Sequence, residues 1–129
     1  MTPPPVDSGE EFLVACLCAQ WCGTCRDYRA GFDALASEFP GMGFVWVDIE
    51  DHADAIGDID VENFPTILIQ RQDSVLFFGT VLPDHALLRR LLETYAAQTP
   101  GESERYAVAT PERRGWQRDA NLRALLRAG

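Results

Sequence analysis

The feature that most constrains this chain is an apolar run that leads directly into a cysteine motif and then into a helical pattern. Phe12 to Cys18 form an uninterrupted apolar run of strand length, which is typical of a buried central strand. The motif Trp21-Cys22-Gly23-Thr24-Cys25 follows two residues later. Pro40-Gly41 end the helix predicted after the motif. The apolar positions that recur at helical spacing in it are Cys25, Tyr28, Phe32, Leu35, Ala36 and Phe39.

The rest of the first hundred residues predicts a second strand, a short helix, a hairpin and a further helix. The order strand, helix, strand, short helix, strand, strand, helix predicts a βαβ unit with parallel strands, followed by an antiparallel ββα unit. The expected fold class is therefore α/β, a mixed four-stranded central sheet with helices on both faces. The predicted bounds are strand 43–49, helix 52–59, strands 66–70 and 75–78, and a helix from its N-cap Asp84 to about residue 98.

The C-terminal part differs from the rest in charge. Residues 1–100 hold 16 acidic residues and 5 arginines, a net −11, whereas residues 101–129 hold 4 acidic residues and 6 arginines, a net +2. We predict one domain over 1–100 and a C-terminal extension over 101–129, with a linker at 99–110 and an amphipathic helix at 117–128. The opposite charges favour an extension that packs on the domain and covers part of an exposed sheet edge.

Composition excludes several classes of function. The net charge of −9 over 129 residues argues against nucleic-acid binding, which needs a basic surface. No stretch reaches the roughly 20 apolar residues of a membrane helix. The N-terminus up to Glu11 contains Pro3-Pro4-Pro5 and no basic residue, unlike a secretory signal. We therefore expect a cytoplasmic protein that binds neither nucleic acid nor membrane.

Cys22 and Cys25 are the candidate catalytic residues. Cys22 is predicted at the start of the helix, where unpaired backbone N–H groups and the positive end of the helix dipole favour a thiolate. The thiolate is the attacking species in thiol–disulfide exchange. Cys25 lies one turn further along on the apolar face, close enough to bond Cys22 and better protected from solvent. Cys22 is therefore expected to attack a partner's disulfide, and Cys25 to resolve the mixed disulfide.

The cysteine motif after an apolar strand resembles the active site of the thioredoxin family. A second match is Asn63-Phe64-Pro65-Thr66, in which Pro65 comes 40 residues after Cys25. By resemblance, Pro65 is the cis-proline that packs against the redox pair, and the backbone of Phe64 pairs with a bound partner segment. Three residues of the motif are expected to support the active site: Trp21 by shaping its rim, Gly23 by permitting close backbone approach, and Thr24 by donating a hydrogen bond to sulfur. The N-terminus is shorter than the strand and helix that thioredoxins place before the central strand.

The resemblance also implies a function. It predicts thiol–disulfide exchange on protein disulfides by a monomer that needs no bound cofactor or metal, because a Cys22–Cys25 disulfide carries the two electrons. A thioredoxin reductase is the expected recycling partner. Three positions depart from the family: Cys16 replaces a buried acid, Trp46 replaces a lysine, and Thr24 replaces a proline. They leave open an alternative, a client-binding or chaperone-like module whose redox activity is secondary.

Two further groups of residues have structural interpretations. Cys16 and Cys18 share one face of the first strand and are expected to be small buried core residues. The alternative is a four-thiolate metal site with Cys22 and Cys25, which an extended strand disfavours by holding its thiols away from the helix start. A solvated acidic face is expected from Asp48, Glu50, Asp51, Asp54, Asp58, Asp60 and Glu62.

Overall fold

The computed structural model describes residues 5–128 as four strands and six helices. Residues 1–4, which include Pro3 and Pro4, and residue 129 lie outside the described part. Residues 5–11 lead into the first strand without forming a helix or strand. The elements are β1 (Phe12–Cys18), α1 (Gly23–Glu38), β2 (Met42–Asp48), α2 (Ala53–Ile56), β3 (Thr66–Arg71), β4 (Ser74–Thr80), α3 (His85–Ala96), α4 (Pro100–Ala107), α5 (Pro111–Asp119) and α6 (Leu122–Ala128).

The strands form one mixed sheet in the order β2-β1-β3-β4. β1 pairs in parallel with β2 and antiparallel with β3, and β3 pairs antiparallel with β4. This is the predicted combination of a βαβ unit and a hairpin. Because β1 has a neighbour on each side and layers above and below, all seven of its residues are buried, which explains its continuous apolar sequence.

Each face of the sheet has its own hydrophobic core. On one face, alternate β1 residues from Phe12 to Cys18 pack with the buried side of α1 and with Leu88 and Leu92 of α3. On the other face, Leu13, Ala15 and Leu17 pack with α2 and with residues of the C-terminal extension. The alternation follows from the two-residue period of a strand. It also places Cys16 and Cys18 on the same face as Cys25.

The extension is more helical than the sequence analysis predicted. The predicted linker at 99–110 is wrong, because Thr99 and Glu102 form a reciprocal capping box that starts α4 at Pro100. The single helix predicted over 117–128 is also wrong: α5 ends at Asp119, and the side chain of Asn121 accepts a hydrogen bond from Ala124 N at 3.1 Å as a new helix begins. Thr99 and Glu102 have the sequence spacing of a capping box, a local signal for this helix start that the linker prediction did not use.

Helices α4 and α5 contact β4, and α6 contacts α2. The side-chain amide of Gln117 in α5 forms two hydrogen bonds with the backbone of β4, as a neighbouring strand would. Its Oε1 accepts from Val75 N at 2.7 Å, and its Nε2 donates to Val75 O at 2.8 Å. Leu122 of α6 is completely buried. The extension therefore packs on the sheet and at the edge that β4 would otherwise leave open. The division of the chain into a domain over 1–100 and an extension over 101–129 stays a prediction.

Arg123 of α6 connects the extension to the N-terminal segment. Its side chain is buried and lies 3.3 Å from the carboxylate of Asp7. Its guanidinium donates to the carbonyl oxygens of Glu11 at 2.8 Å and Gln72 at 3.3 Å, and also to that of Glu10. A charged group is tolerated here because it is paired with an anion and hydrogen-bonded to backbone carbonyls.

Within the described residues, no helix is both long and apolar enough to span a membrane.

Candidate active site

The cysteine motif lies at the junction of β1 and α1. Cys22 is the N-cap residue of α1, with an extended backbone conformation. Its carbonyl oxygen accepts the first helical hydrogen bond from Arg26 N at 3.1 Å, and its own N–H donates to Ala19 O at 3.0 Å. The first turn of α1 contains no acidic residue. Cys22 is half-buried and lies at the N-terminus of the helix that carries Cys25.

Cys25 lies one turn further along α1 and is 1 % exposed. Its disulfide partner in the structure is Cys18, with the two Cα atoms 5.8 Å apart, while Cys22 is a free thiol. The pairing differs from the Cys22–Cys25 disulfide that the resemblance implied. It also corrects the interpretation of Cys18 as an inert core residue. The strand does not hold Cys18 away from the helix, because the short turn after β1 brings α1 back over the end of that strand.

Cys16 is buried and free, as expected, but its surroundings are specific. Its Sγ lies 3.7 Å from Sγ of Cys18. Burial raises the pKa of the Cys16 thiol well above its ordinary value, and the nearby guanidinium of Arg29 opposes this only in part. Cys16 is thus held as a neutral thiol. Because Cys18 is in a disulfide and has no hydrogen to give, Cys16 is the donor in this contact.

Trp46 lies opposite Cys16 in the β1–β2 register. Its ring packs 5.8 Å from that of Phe32, and the Arg29 guanidinium lies 5.0 Å from its centroid. A cation therefore lies near the position where the resemblance implies a lysine, although it comes from α1 rather than from the sheet. Arg29 is absent from the predicted site residues, because its place over the Trp46 ring depends on how α1 packs on the sheet.

The loop before β3 meets the motif. The Phe64–Pro65 peptide bond is cis, and Pro65 is buried. The rings of Trp21 and Phe64 pack edge to face with centroids 5.6 Å apart, while Trp21 remains 64 % exposed. Phe64 and Cys22 both pack against the core cluster that contains Cys25. The structure thus brings together the two sequence matches, which are distant along the chain.

Gly23 and Thr24 lie exposed in the first turn of α1. A Cβ placed on Gly23 would meet only the Arg26 Nη2 atom, at 3.7 Å, so no close backbone approach requires glycine in this structure. No hydrogen bond from the Thr24 hydroxyl to sulfur is found among the residues described. Their roles in the active site therefore stay predictions.

Asp48 is a site residue that the sequence analysis placed wrongly. It was assigned to the solvated acidic face, but it is 2 % exposed at the end of β2. Its carboxylate accepts hydrogen bonds from the backbone N–H groups of Gln20 at 3.0 Å, and of Glu50 and Asp51 at 2.9 Å each. It thereby joins the loop that carries Trp21 to the loop after β2. Trp21 Nε1 also donates to the Glu50 carboxylate, so two contacts fix this side of the motif.

An acidic cleft of about 530 Å³ lies beside Thr66, the residue after the cis-proline. Its walls carry carboxylates from the loop before β3 and from α5, and Phe78 and Trp116 supply apolar surface. The carboxylates of the loop belong to the predicted acidic face, whereas those of α5 are distant in sequence and join them only in the folded structure. The five acidic residues are Asp58, Asp60, Glu62, Glu112 and Asp119.

No group of three or more His, Cys, Asp or Glu side chains is arranged to hold a metal ion within residues 5–128.

The fold and the site define a class: a mixed βαβ–ββα sheet with a two-cysteine motif at the start of its first helix and a cis-proline loop beside it. Residues 5–87 match the thioredoxin family. The chain belongs to that family, which confirms the resemblance and the fold class.

Individual relatives agree with this assignment. The chain is 38% identical over 85 residues to a thioredoxin H-type of Picea mariana, an alignment that covers 66% of this chain and 68% of the relative. It is 28% identical over 60 residues to a thioredoxin of Ophiophagus hannah, covering 46% of this chain and 57% of the relative. The chain thus spans little more than half the length of some curated relatives.

The solved structures show the same architecture. The crystal structure of thioredoxin from Trypanosoma brucei brucei superposes with a TM-score of 0.62 at 26% identity, covering 70% of this chain and 80% of that one. The structure of Fasciola hepatica thioredoxin gives a TM-score of 0.60, also at 26% identity, covering 66% and 81%.

Proposed function

We propose that this protein catalyses thiol–disulfide exchange on protein disulfides, with Cys22 as the attacking residue and Cys25 as the resolving residue. The observation that carries the proposal is the difference in exposure between two cysteines one helical turn apart. Cys22 is half-buried at the N-terminus of α1, whereas Cys25 is almost completely buried. Residues three apart on a helix lie about 5–6 Å from each other at Cβ, so the second sulfur can reach a partner bound to the first.

The reaction proceeds in two exchanges that balance. The Cys22 thiolate attacks one sulfur of the client's disulfide, a mixed disulfide forms, and the first client sulfur leaves as a thiolate. Cys25 then loses its proton and attacks Cys22 Sγ, which releases the second client sulfur. The client gains two electrons, and the protein is left with one disulfide. Cysteine sulfurs carry these electrons, so the proposal includes no bound cofactor and no metal.

The surroundings supply binding and positioning. The aromatic pair of Trp21 and Phe64 is exposed on one side and offers apolar surface to a client segment. We propose that the backbone of Phe64, beside Pro65, pairs with that segment. The acidic cleft next to this loop favours clients that are neutral or basic near their disulfide. A thioredoxin reductase is the proposed recycling partner, the proposed setting is the cytoplasm, and the proposed state is a monomer.

The direct test is reduction of insulin disulfides by dithiothreitol with catalytic amounts of the protein. We expect acceleration by the wild type, loss of the acceleration in Cys22→Ser, and accumulation of a covalent mixed disulfide in Cys25→Ser. Cys16→Ser is the matched control, because it makes the same atomic change and removes no proposed reacting sulfur. Full acceleration by Cys22→Ser would overturn the proposal, and retained client binding by that variant would favour the chaperone-like alternative.

A further inference from the structure

Cys25 has two possible partners in this protein. The proposed reaction pairs it with Cys22, whereas the structure pairs it with Cys18, the last residue of β1. Both neighbours are local: Cys22 is one helical turn away, and the Cα of Cys18 lies 5.8 Å from that of Cys25. A Cα separation near this value is usual for disulfides. The sulfurs of Cys18, Cys22 and Cys25 therefore share one site. Whenever two of them form a disulfide, the third remains a free thiol.

The three sulfurs differ in their access to solvent. Cys18 is 0 % exposed and Cys25 is 1 % exposed, so an external thiol cannot approach the disulfide that joins them. Cys22 is half-buried at the protein surface and packs against the same core cluster. A route between solvent and the buried disulfide therefore passes through the sulfur of Cys22.

We infer that Cys18 is a third reacting residue of the redox centre, and that Cys25 exchanges its disulfide bond between Cys22 and Cys18. The inference rests on the proposed function, since it gives the Cys22–Cys25 disulfide left by client reduction a further step. The thiolate of Cys18 attacks Cys25 Sγ, the Cys18–Cys25 bond forms, and the Cys22–Cys25 bond breaks. Its electron pair stays on Cys22.

The step is balanced without any other reactant. One disulfide is present before and after it, and the proton that Cys18 gives up is matched by the one that Cys22 gains. The outcome is that the disulfide joins the two buried cysteines, Cys18 and Cys25, while Cys22 becomes a free thiol again. In the reverse direction, the Cys22 thiolate attacks Cys25 Sγ and releases Cys18.

Cys16 is a buried neighbour of the redox centre. Its sulfur lies 3.7 Å from the Cys18 sulfur. Because burial keeps Cys16 protonated, it does not compete for Cys25. We assign it no role in the exchange, and Cys16→Ser therefore serves as the control for loss of a cysteine.

The first experiment counts accessible thiols in the native wild-type protein that contains one disulfide. The Cys18–Cys25 bond leaves Cys22 accessible, so we expect one equivalent to react with Ellman's reagent. A Cys22–Cys25 bond that did not exchange would leave none, since Cys16 and Cys18 are buried, and a count of zero would overturn the inference. This measurement needs no variant and does not depend on whether a client is reduced.

The second experiment maps the bond after free thiols have been blocked in acid. Chymotrypsin cleaves after Leu17 and Trp21, which separates Cys18 from the peptide that contains both Cys22 and Cys25. A Cys18–Cys25 bond links two peptides, whereas a Cys22–Cys25 bond stays within one. After one equivalent of insulin disulfide is given to the reduced protein, we expect the internal bond first and the linked peptides later. Internal bonds at all times would contradict the exchange.

Variants separate this inference from the proposed function. Cys18→Ser and Cys18→Ala should both reduce the accessible thiol count from one to zero, while Cys16→Ser should leave it at one. A count of one in both Cys18 variants would refute the role of Cys18. If the wild type fails to reduce insulin, the proposed function fails, and the thiol count of protein oxidised with diamide still decides whether Cys18 shares Cys25.

Discussion

The carboxylate of Asp48 accepts a hydrogen bond from the backbone N–H of Gln20, 3.0 Å away. The contact joins the carboxyl end of β2 to the loop between β1 and α1, two residues before Cys22. The same carboxylate holds the loop after β2 through two further backbone N–H groups. A single buried anion thus organises two loops beside the candidate active site.

We predict that Asp48→Asn destabilises the protein by about 1–3 kcal/mol, because an amide has one acceptor oxygen for three N–H donors and leaves buried donors unpaired. The measurement is urea denaturation at neutral pH. We also expect slower insulin reduction, since the backbone before Cys22 loses its anchor. Asp54→Asn is the matched control at an exposed position. Equal stability of the two variants would show that the Asp48 contacts contribute nothing.

Gly31 of α1 is required by the position of His85. The His85 ring stacks on Tyr28 with centroids 4.4 Å apart, and its Nε2 lies 2.9 Å from Tyr28 O. A Cβ on Gly31 would overlap that ring. We therefore predict that Gly31→Ala costs about 1–3 kcal/mol of stability, measured by denaturant unfolding, although alanine is ordinarily the better helix former.

Two comparisons test this explanation. Gly115→Ala, in the more open α5, should be neutral or stabilise the protein by up to about 1 kcal/mol. In a His85→Ala background, Gly31→Ala should lose its cost, because the overlapping ring is gone. If Gly31→Ala still lowered stability in the His85→Ala background, overlap with the His85 ring would not be the cause.

Tyr28 and Tyr95 form a matched pair of buried phenols. Among the described residues, the Tyr28 hydroxyl has no hydrogen-bond partner, whereas the Tyr95 hydroxyl lies 3.3 Å from that of Tyr106. We predict that Tyr28→Phe is neutral or stabilising by about 1 kcal/mol, because it removes a buried unpaired polar group. Tyr95→Phe should cost about 0.5–1.5 kcal/mol. Thermal and urea unfolding at pH 7 would reveal the difference, and a large loss in Tyr28→Phe would contradict it.

The pH dependence follows from the same phenols. Burial raises the pKa of Tyr28 and of Tyr95 above the ordinary value of 10.0. A group whose pKa is raised by folding stabilises the folded state below its unfolded pKa, and this contribution is lost as pH rises toward the folded pKa. We therefore expect the free energy of unfolding to fall above pH 10, and to fall less steeply in Tyr28→Phe. Parallel curves for the two proteins would refute this.

Arg123 and Arg127 test how α6 is attached. Arg123 is 3 % exposed and contacts Asp7 and three carbonyl groups, whereas Arg127 forms an exposed ion pair with Asp73 at 2.8 Å. We predict a loss of about 3–5 kcal/mol for Arg123→Ala, since it removes a buried cation from its pairing with the partly buried Asp7 carboxylate and leaves three carbonyl groups without that donor. Arg127→Ala should change stability by less than about 1 kcal/mol. Similar values in urea denaturation would show that Arg123 does not hold the extension.

Regular patterns were readable from the sequence, and three-dimensional proximity was not. The apolar run at β1, the helix of the motif and the position of Pro65 depend on local signals, so the fold and the location of the site could be predicted. The disulfide partner of Cys25 depends on how closely α1 packs over the end of β1. The spacing of cysteines in the sequence does not determine that distance. Likewise, Asp48 looks like its acidic neighbours in the sequence, and only the loop geometry makes it buried.

The contact between Gln117 and Val75 has a consequence for self-association. A sheet edge with free N–H and C=O groups is a template on which a strand of another molecule can grow. Here a side-chain amide already occupies both groups of Val75. A second molecule could add to β4 at this position only after α5 had come away, so the stability of the α5 contact sets how readily the protein begins to aggregate along this edge.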